Sequence, residues 1–148
     1  MPTLDEVLAG LRHNRGLIAD PSAFARDAGA TSWLYLCGPA FAEIDGGMSF
    51  DDVEGAVDRS INIVSDPPTA MDMDIARRHV DALDELERPT LVTCRTGPRS
   101  SAVIYLYAGL RSGASSDEVL ARAGADDAPF TKSDELVAWV RQGLADLA

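Results

Sequence analysis

The residues best suited to chemistry form one short segment, Cys94-Arg95-Thr96-Gly97-Pro98-Arg99-Ser100. It follows an apolar run at 90–93, which predicts a buried strand, and precedes a nearly uniformly apolar run at 101–111, which predicts a buried helix. A cysteine at the carboxyl end of a parallel strand lies in the crevice where open α/β sheets bind ligands. Amides of a tight loop and of the first helical turn can converge there on an anion. The segment therefore predicts an anion-binding loop around a nucleophilic thiol.

Four residues of this segment have distinct expected roles. Helix N-termini and nearby cations stabilise thiolates, so we expect Cys94 to be ionised and nucleophilic at neutral pH. Gly97 lets the backbone turn back with its amides inward, a conformation that a side chain would resist. Arg99 supplies a two-pronged donor for a tetrahedral anion. Ser100 can donate to the thiolate, which would stabilise it as a leaving group.

The remaining loop residues are expected to form the wall of the anion site. The amides of residues 95–99, which include Arg95, Thr96 and Pro98, are predicted to surround the anion. Arg95 is expected at the loop mouth, where it either steers anions or is an ordinary exposed arginine. The competing interpretation of the segment is a buried strand cysteine followed by solvated arginines, and the combination of cysteine, glycine, arginine and serine favours the functional one.

The rest of the chain predicts an α/β fold. Strands are expected at 31–37, 60–65 and 90–93, each ending in a turn or loop. Helices are expected near 4–11, 50–57, 71–87 and 101–111, and two more follow in the all-helical C-terminal part. This alternation predicts a mostly parallel central sheet flanked by helices. We expect one domain over 1–148, with residues 1–30 as a helical N-terminal extension.

Composition narrows the classes of partner. The formal net charge of −11 disfavours nucleic acid and anionic membrane surfaces, since both would be repelled at long range. The acidic, mixed amino terminus is unlike a secretion signal, and no apolar run approaches a membrane span, so a cytoplasmic location is expected. Two cysteines make no disulfide framework, and no paired ligands indicate zinc or iron. We expect no metal, no cofactor and a small anionic substrate.

The loop also carries a family resemblance. Residues 94–100 resemble the active-site loop of two related groups, the rhodaneses and the cysteine-dependent phosphatases. The layout over roughly 32–148 resembles the dual-specificity-phosphatase fold, in the branch called beta-lactamase-hydrolase-like or phosphatase-like. In that comparison SINIVSD matches the strand before the phosphatase acid loop. The resemblance implies a cysteine-phosphatase-like α/β fold.

Two departures from the phosphatase pattern direct the functional hypothesis. Such phosphatases place five residues between cysteine and arginine and usually have a histidine before the cysteine, whereas this chain has four intervening residues and Thr93. The shorter spacing is similar to sulfur-transferring rhodaneses, although the strand and glycine-tryptophan motif of a true rhodanese fold are missing after the loop helix. The leading expectation is a sulfurtransferase in which Cys94 takes the outer sulfur of thiosulfate or a small persulfide and passes it to a thiol or cyanide.

Two alternatives stay open. The first is a phosphatase that acts through a phosphocysteine, with Asp66 as general acid, because the resemblance places the acid loop at that position. The competing interpretation of Asp66 is a cap for the turn before the next helix. The second alternative is an inactive anion-binding module that docks onto a redox enzyme partner.

Other reactive or aromatic residues favour structural roles. Cys37 is either a resolving thiol near Cys94 or a packed core cysteine, and the latter is favoured. His79 lies on the apolar face of its predicted helix and is expected to be an interior histidine. The aromatic residues expected in the core are Trp33, Tyr35, Tyr105, Tyr107 and Trp139.

Overall fold

The computed structural model describes residues 1–148 and contains one sheet of four parallel strands. The strands are β1 (Leu11–His13), β2 (Ser32–Tyr35), β3 (Arg59–Asn62) and β4 (Thr90–Thr93), in the spatial order β1-β4-β2-β3. All four residues of β2 and of β4 are buried, as expected for strands with a neighbour on each side. Cys94 therefore follows a central strand.

Seven helices surround the sheet. They are α1 (Leu4–Ala9), α2 (Pro21–Ala28), α3 (Phe50–Glu54), α4 (Met73–Glu85), α5 (Pro98–Ser112), α6 (Ser116–Ala125) and α7 (Asp134–Asp146), with 3₁₀ turns at Pro39–Glu43 and Pro129–Lys132. Capping boxes begin α1, α3 and α6. None of the helices combines the length and the apolar character needed to cross a bilayer.

The core lies on both faces of the sheet, because neighbouring strand residues point to opposite sides. Leu34 belongs to a cluster of 25 buried residues that α4, α5 and α7 help to form. Trp33 and Tyr35 belong to a second cluster of nine residues, which also holds Cys37. The five aromatic residues expected in the core are all buried. The predicted α/β fold with a helical C-terminal part is confirmed.

The first thirty residues differ from the expected helical extension, because they contribute a strand to the sheet. Helix α1 ends at Ala9, and Gly10 follows as its C-cap. Leu11 then pairs with Thr90 as the first residue of β1, at the edge of the sheet. The helical spacing of Leu11 with the preceding apolar residues hid this strand, which is too short to show an alternating pattern.

Candidate functional site

The sulfur of Cys94 lies where the backbone turns from β4 into α5. Its Sγ accepts hydrogen bonds from the N–H groups of Gly97 at 3.1 Å and Ser100 at 3.4 Å. Gly97 is the N-cap of α5 and has φ +117°, a left-handed conformation that brings its N–H inward. Donors aimed at a sulfur stabilise its ionised form. Pro98 has no N–H, so it cannot be among the amide donors predicted over residues 95–99.

Asn14, which the sequence analysis missed, ties the two ends of the loop together. This side chain is only 1% exposed and follows β1 directly. Its Oδ1 accepts the Cys94 N–H at 3.2 Å and lies 2.9 Å from the Ser100 hydroxyl. Its Nδ2 donates to the Cys94 carbonyl at 2.9 Å. The signal that could have found Asn14 is a polar residue at the carboxyl end of a strand beside β4, which required β1 to be recognised first.

Ser100 is close to the sulfur but shares its single hydroxyl proton among several acceptors. Its Oγ lies 3.4 Å from Cys94 Sγ, 2.9 Å from Asn14 Oδ1 and 3.1 Å from the Gly97 carbonyl oxygen. A hydroxyl donates one hydrogen bond at a time, so donation to the thiolate competes with donation to the two oxygens. The structure thus places Ser100 where the sequence expected it.

Asp66 lies at the site and forms an ion pair with Arg95. Asp66 Oδ2 accepts from Arg95 Nε at 2.9 Å, and Arg95 Nη2 lies 2.9 Å from the same oxygen. Asp66 Oδ1 accepts the Gly38 N–H at 3.0 Å. The Arg95 guanidinium also lies over the Phe41 ring, 5.5 Å from its centroid. Asp66 also begins the turn before α4, since its carbonyl oxygen accepts the Thr69 N–H at 2.9 Å, whereas Asp72 is the N-cap of α4 itself.

Arg99 connects the segment 65–69 to the cysteine loop, which comprises residues 94–100. Its Nη1 donates to the carbonyl oxygens of Ser65 and Thr69, the latter at 3.0 Å. Its Nε and Nη2 make no hydrogen bond within the protein, and the side chain lines the cavity at Cys94. Arg99 therefore fixes the Asp66 segment beside the sulfur while keeping donors for a ligand.

The predicted site residues converge on one cavity of about 220 Å³. Gly97 and Ser100 reach the sulfur through their N–H groups. The residues that line the cavity are Asp66, Pro67, Cys94, Arg95, Thr96, Pro98 and Arg99. The chain has no group of three His, Cys, Asp or Glu side chains arranged to hold a metal ion. The arrangement can hold a small anion against a sulfur nucleophile, with a carboxyl group nearby.

His79 is an interior residue, as expected, and supports the Asp66 segment. Its Nε2 lies 2.8 Å from Ser65 Oγ, which in turn donates to the Ile63 carbonyl at 2.9 Å. Since Ser65 uses its proton there, His79 carries its own proton on Nε2. Burial lowers the pKa of His79 to about 3, so the ring is neutral at physiological pH.

Cys37 is packed in the core, on the sheet face opposite to that of Cys94. It is 1% exposed and belongs to the nine-residue cluster, whereas Cys94 belongs to the larger one. Burial raises the pKa of the Cys37 thiol to about 12. This environment favours the packed core cysteine over the resolving thiol.

The two cysteines should differ strongly in their reactivity. At pH 7 we expect iodoacetamide to alkylate Cys94 while Cys37 stays unmodified, because the Cys37 thiol is buried and protonated. Inorganic phosphate should slow the reaction of Cys94 by occupying the cavity. Peptide mass spectrometry would measure both sites in one sample. Equal labelling of the two cysteines would contradict the anion site.

Replacing Gly97 with alanine should disrupt the loop. A Cβ at this position would collide with the carbonyl oxygen of Asn14, and φ +117° is strained for any residue with a side chain. We expect a loss of stability of about 1–3 kcal/mol or more in urea unfolding, and slower alkylation of Cys94. The matched control is Gly124→Ala, since no atom lies within 4 Å of its added Cβ and a helical alanine is favourable. Equal stability of the two variants would refute the strained turn.

Solved structures share this fold. No family model and no curated protein matches the chain. A crystal structure of Tk-PTP in the active form is similar with a TM-score of 0.74 and 15% identity, over 93% of this chain and 92% of that one. A crystal structure of a candidate phosphatase from Neisseria meningitidis z2491 has a TM-score of 0.67 and 16% identity, over 90% and 93%. PTPMT1 in complex with PI(5)P has a TM-score of 0.55 and 12% identity, over 99% and 98%.

These similarities extend over nearly the whole of both chains, so they concern the complete architecture. The sequence identities are too low to transfer an activity to this chain. The structural similarities therefore show the fold alone. The chain therefore has the fold of the protein tyrosine phosphatase-like, cysteine-dependent phosphatases.

Proposed function

We propose that this protein hydrolyses phosphate monoesters through a phosphocysteine formed on Cys94. The observation that carries the proposal is the position of Sγ, which accepts two backbone N–H groups at the start of α5 in a cavity that also contains Asp66 and Arg99. The phosphatase fold favours this activity over the sulfur transfer that the four-residue spacing suggests. Arg99 lines the cavity despite that spacing, which supports the proposal.

In the first step, the Cys94 thiolate attacks the phosphorus atom. A P–S bond forms while the P–O bond to the leaving group breaks, and protonated Asp66 gives its proton to the leaving oxygen. The N–H groups of the loop and the free donors of Arg99 stabilise the charge on the phosphoryl oxygens. Arg99 also keeps Asp66 near the leaving group through its bonds to residues 65 and 69.

In the second step, water releases the phosphate. Ionised Asp66 accepts a proton from the water, whose oxygen attacks phosphorus as the P–S bond breaks. Inorganic phosphate leaves, and Cys94 returns to its thiolate form. The donors from Gly97 and Ser100 that hold the sulfur also make it a better leaving group, because they stabilise the negative charge that it regains.

The Arg95–Asp66 ion pair has to open during the first step. In the pair, Asp66 Oδ2 accepts from the Arg95 guanidinium, whereas a general acid must carry a proton to donate. An incoming phosphoryl dianion is a competing partner for Arg95, which is one-third exposed and lines the same cavity. Transfer of the guanidinium from Asp66 to the substrate would free Oδ2 to take up a proton.

The substrate is a small anionic phosphoester. A cavity of about 220 Å³ accommodates a phosphoryl group and part of the group it is attached to. Within the phosphatase fold, we place the chain in the beta-lactamase-hydrolase-like branch on the basis of the layout of strand, cysteine loop and all-helical C-terminal part. Residues 1–148 would act as one domain, because β1 completes the sheet that positions Cys94.

One comparison of activities tests the proposal against its alternatives. The same preparation is assayed for phosphate release from p-nitrophenyl phosphate and for thiocyanate formation from thiosulfate and cyanide. Phosphate release that Cys94→Ser abolishes supports the phosphatase. Thiocyanate formation without phosphate release would overturn it in favour of the sulfurtransferase. If phosphate raises the melting temperature of the protein and neither reaction occurs, the result would support the inactive anion-binding module instead.

A further inference from the structure

A second and larger cavity, of about 770 Å³, lies at the edge of the sheet beside β1. Helices α1, α2, α5 and α6 contribute the rest of its lining. Its volume falls in the range of about 300–1,000 Å³ that is typical of small-molecule sites. Leu8, Leu11 and Ile104 give it an apolar part, and Tyr105 adds an aromatic ring. None of these residues takes part in the proposed reaction.

The net charge of the residues that line this cavity is opposite in sign to the net charge of the whole protein. Arg12, Arg15 and Arg122 face Asp5 and Asp126, which leaves one net positive charge in a chain whose net charge is −11. An anion is attracted to such a site even though the whole surface repels it. The cavity therefore favours a negatively charged ligand.

Arg12 is the cation that is free to bind such a ligand. Arg122 pairs with both acidic residues, Asp5 and Asp126. Arg15 donates from Nη1 and Nη2 to the carbonyl oxygens of residues 127 and 126, at 2.7 and 2.8 Å. Arg12 has no carboxylate partner in the chain, and its guanidinium lies 5.4 Å from the centroid of the Phe24 ring. A planar anion that binds Arg12 can at the same time contact the apolar part of the cavity lining.

His13 also lines the cavity, between Arg12 and Arg15 in the sequence. Its side chain is partly buried, and Nδ1 lies 2.9 Å from the Asn14 carbonyl oxygen. Burial, together with the positive charges of Arg15 and Arg12, holds the pKa of His13 below its ordinary value, against the Asn14 hydrogen bond and Asp126. The imidazole is thus neutral beside two arginines, which leaves the positive charge of the site to the guanidinium groups.

The chain segment at this cavity also holds the cysteine loop. His13 and Arg15 line the cavity, whereas Asn14 between them makes hydrogen bonds to Cys94 and Ser100. The next residue, Gly16, donates its N–H to the Thr96 carbonyl at 2.7 Å. A ligand held by Arg12 and Leu11 contacts β1, the strand that leads directly into Asn14.

We propose that this cavity is a regulatory site for a small organic anion with an aromatic body, and that its occupation stiffens the Cys94 loop through Asn14. The proposal goes beyond the phosphatase activity and does not depend on it. The ligand takes its charge contact from Arg12 and its apolar contacts from Leu8, Leu11 and Ile104.

The binding experiment uses 8-anilinonaphthalene-1-sulfonate, an aromatic anion whose fluorescence rises on binding. Saturating phosphate occupies the Cys94 cavity during the titration. We expect one equivalent of probe to bind, with affinity reduced about tenfold in Arg12→Gln, since a charged hydrogen-bond partner is lost. Arg141→Gln is the matched control, because Arg141 is an exposed arginine on α7 outside the cavity. No saturable binding, or equal affinity in the two variants, would overturn the site.

The coupling experiment measures iodoacetamide alkylation of Cys94 without phosphate, in the presence and absence of the probe. Cys94 lines its cavity but is only 5% exposed, so small movements of the loop control the access of iodoacetamide to the sulfur. We expect bound probe to slow the reaction about fivefold in the wild type and in Arg141→Gln, but not in Arg12→Gln. Equal rates with and without bound probe would overturn the coupling. Alkylation needs no turnover, so a failure of the phosphatase proposal would leave both results interpretable.

Discussion

Replacing Cys94 with serine should lower kcat for p-nitrophenyl phosphate about 10⁴-fold or more. The serine hydroxyl is a weak nucleophile unless an adjacent base takes its proton. The nearby carboxyl group cannot serve as that base in the first step, because the proposed reaction needs Asp66 there in its protonated form. The loop donors remain in place, so binding of inorganic phosphate should persist. Initial rates and phosphate titration measure the two properties separately.

The matched control for this variant is Cys37→Ala. Cys37 is the other free cysteine and lies on the opposite sheet face, so its loss should leave kcat within a small factor of the wild type. Urea unfolding of both variants would show that each is folded in the assay. Substantial turnover by Cys94→Ser would place the nucleophile elsewhere.

The Asp66→Asn variant should show a loss of activity that depends on the leaving group. General acid catalysis contributes about 10²–10⁴-fold, and it matters most when the departing oxygen is strongly basic. We therefore expect a fall of about 10²-fold or more in kcat for phenyl phosphate and a much smaller one for 2,4-dinitrophenyl phosphate. An asparagine retains an oxygen for the Gly38 N–H but cannot donate the catalytic proton.

Asp72→Asn is the control for the charge change. Asp72 also accepts a backbone N–H, from Ile75 at 2.9 Å, but it caps α4 and does not line the Cys94 cavity. Asparagine is as good an N-cap as aspartate, so this variant should keep its activity on both substrates. An equal loss on both phosphate esters in Asp66→Asn would indicate that Asp66 only maintains the structure through Arg95.

The cysteine loop was predictable from the sequence because its determinants are local. The apolar strand β4, the turn at Gly97 and the buried helix α5 are consecutive, so the position of Cys94 between them follows without knowledge of distant contacts. The same adjacency brought Arg99 and Ser100 to the site. The loop begins where the apolar strand β4 ends, and Pro98 marks the start of α5.

The residues that complete the site were harder to predict, because they depend on long-range contacts. Asn14 is 80 residues from Cys94, and its position depends on a three-residue strand. The Arg95–Asp66 pair joins the loops that follow β4 and β3, two strands that are separated in the sheet by β2. Local periodicity carries no signal for either arrangement.

The sulfurtransferase hypothesis rests on a spacing, whereas the fold supports the phosphatase alternative better. One residue fewer between cysteine and arginine turns the arginine by about 100° around the helix axis. That shift suggested a different cradle, yet Arg99 is long enough to reach the carbonyls of Ser65 and Thr69 and still line the cavity. The position of the Arg99 side chain depends on these contacts with residues 65 and 69, which the sequence alone could not show.

The most direct test of the account is to trap the covalent intermediate. The wild-type protein would be mixed with excess p-nitrophenyl phosphate, quenched in acid within the first turnover and digested for peptide mass spectrometry. We predict a phosphoryl group on the peptide that contains Cys94 and none on the Cys37 peptide. A protein that releases phosphate without ever carrying a phosphoryl group on Cys94, or that gains only a sulfur atom there from thiosulfate, would contradict it.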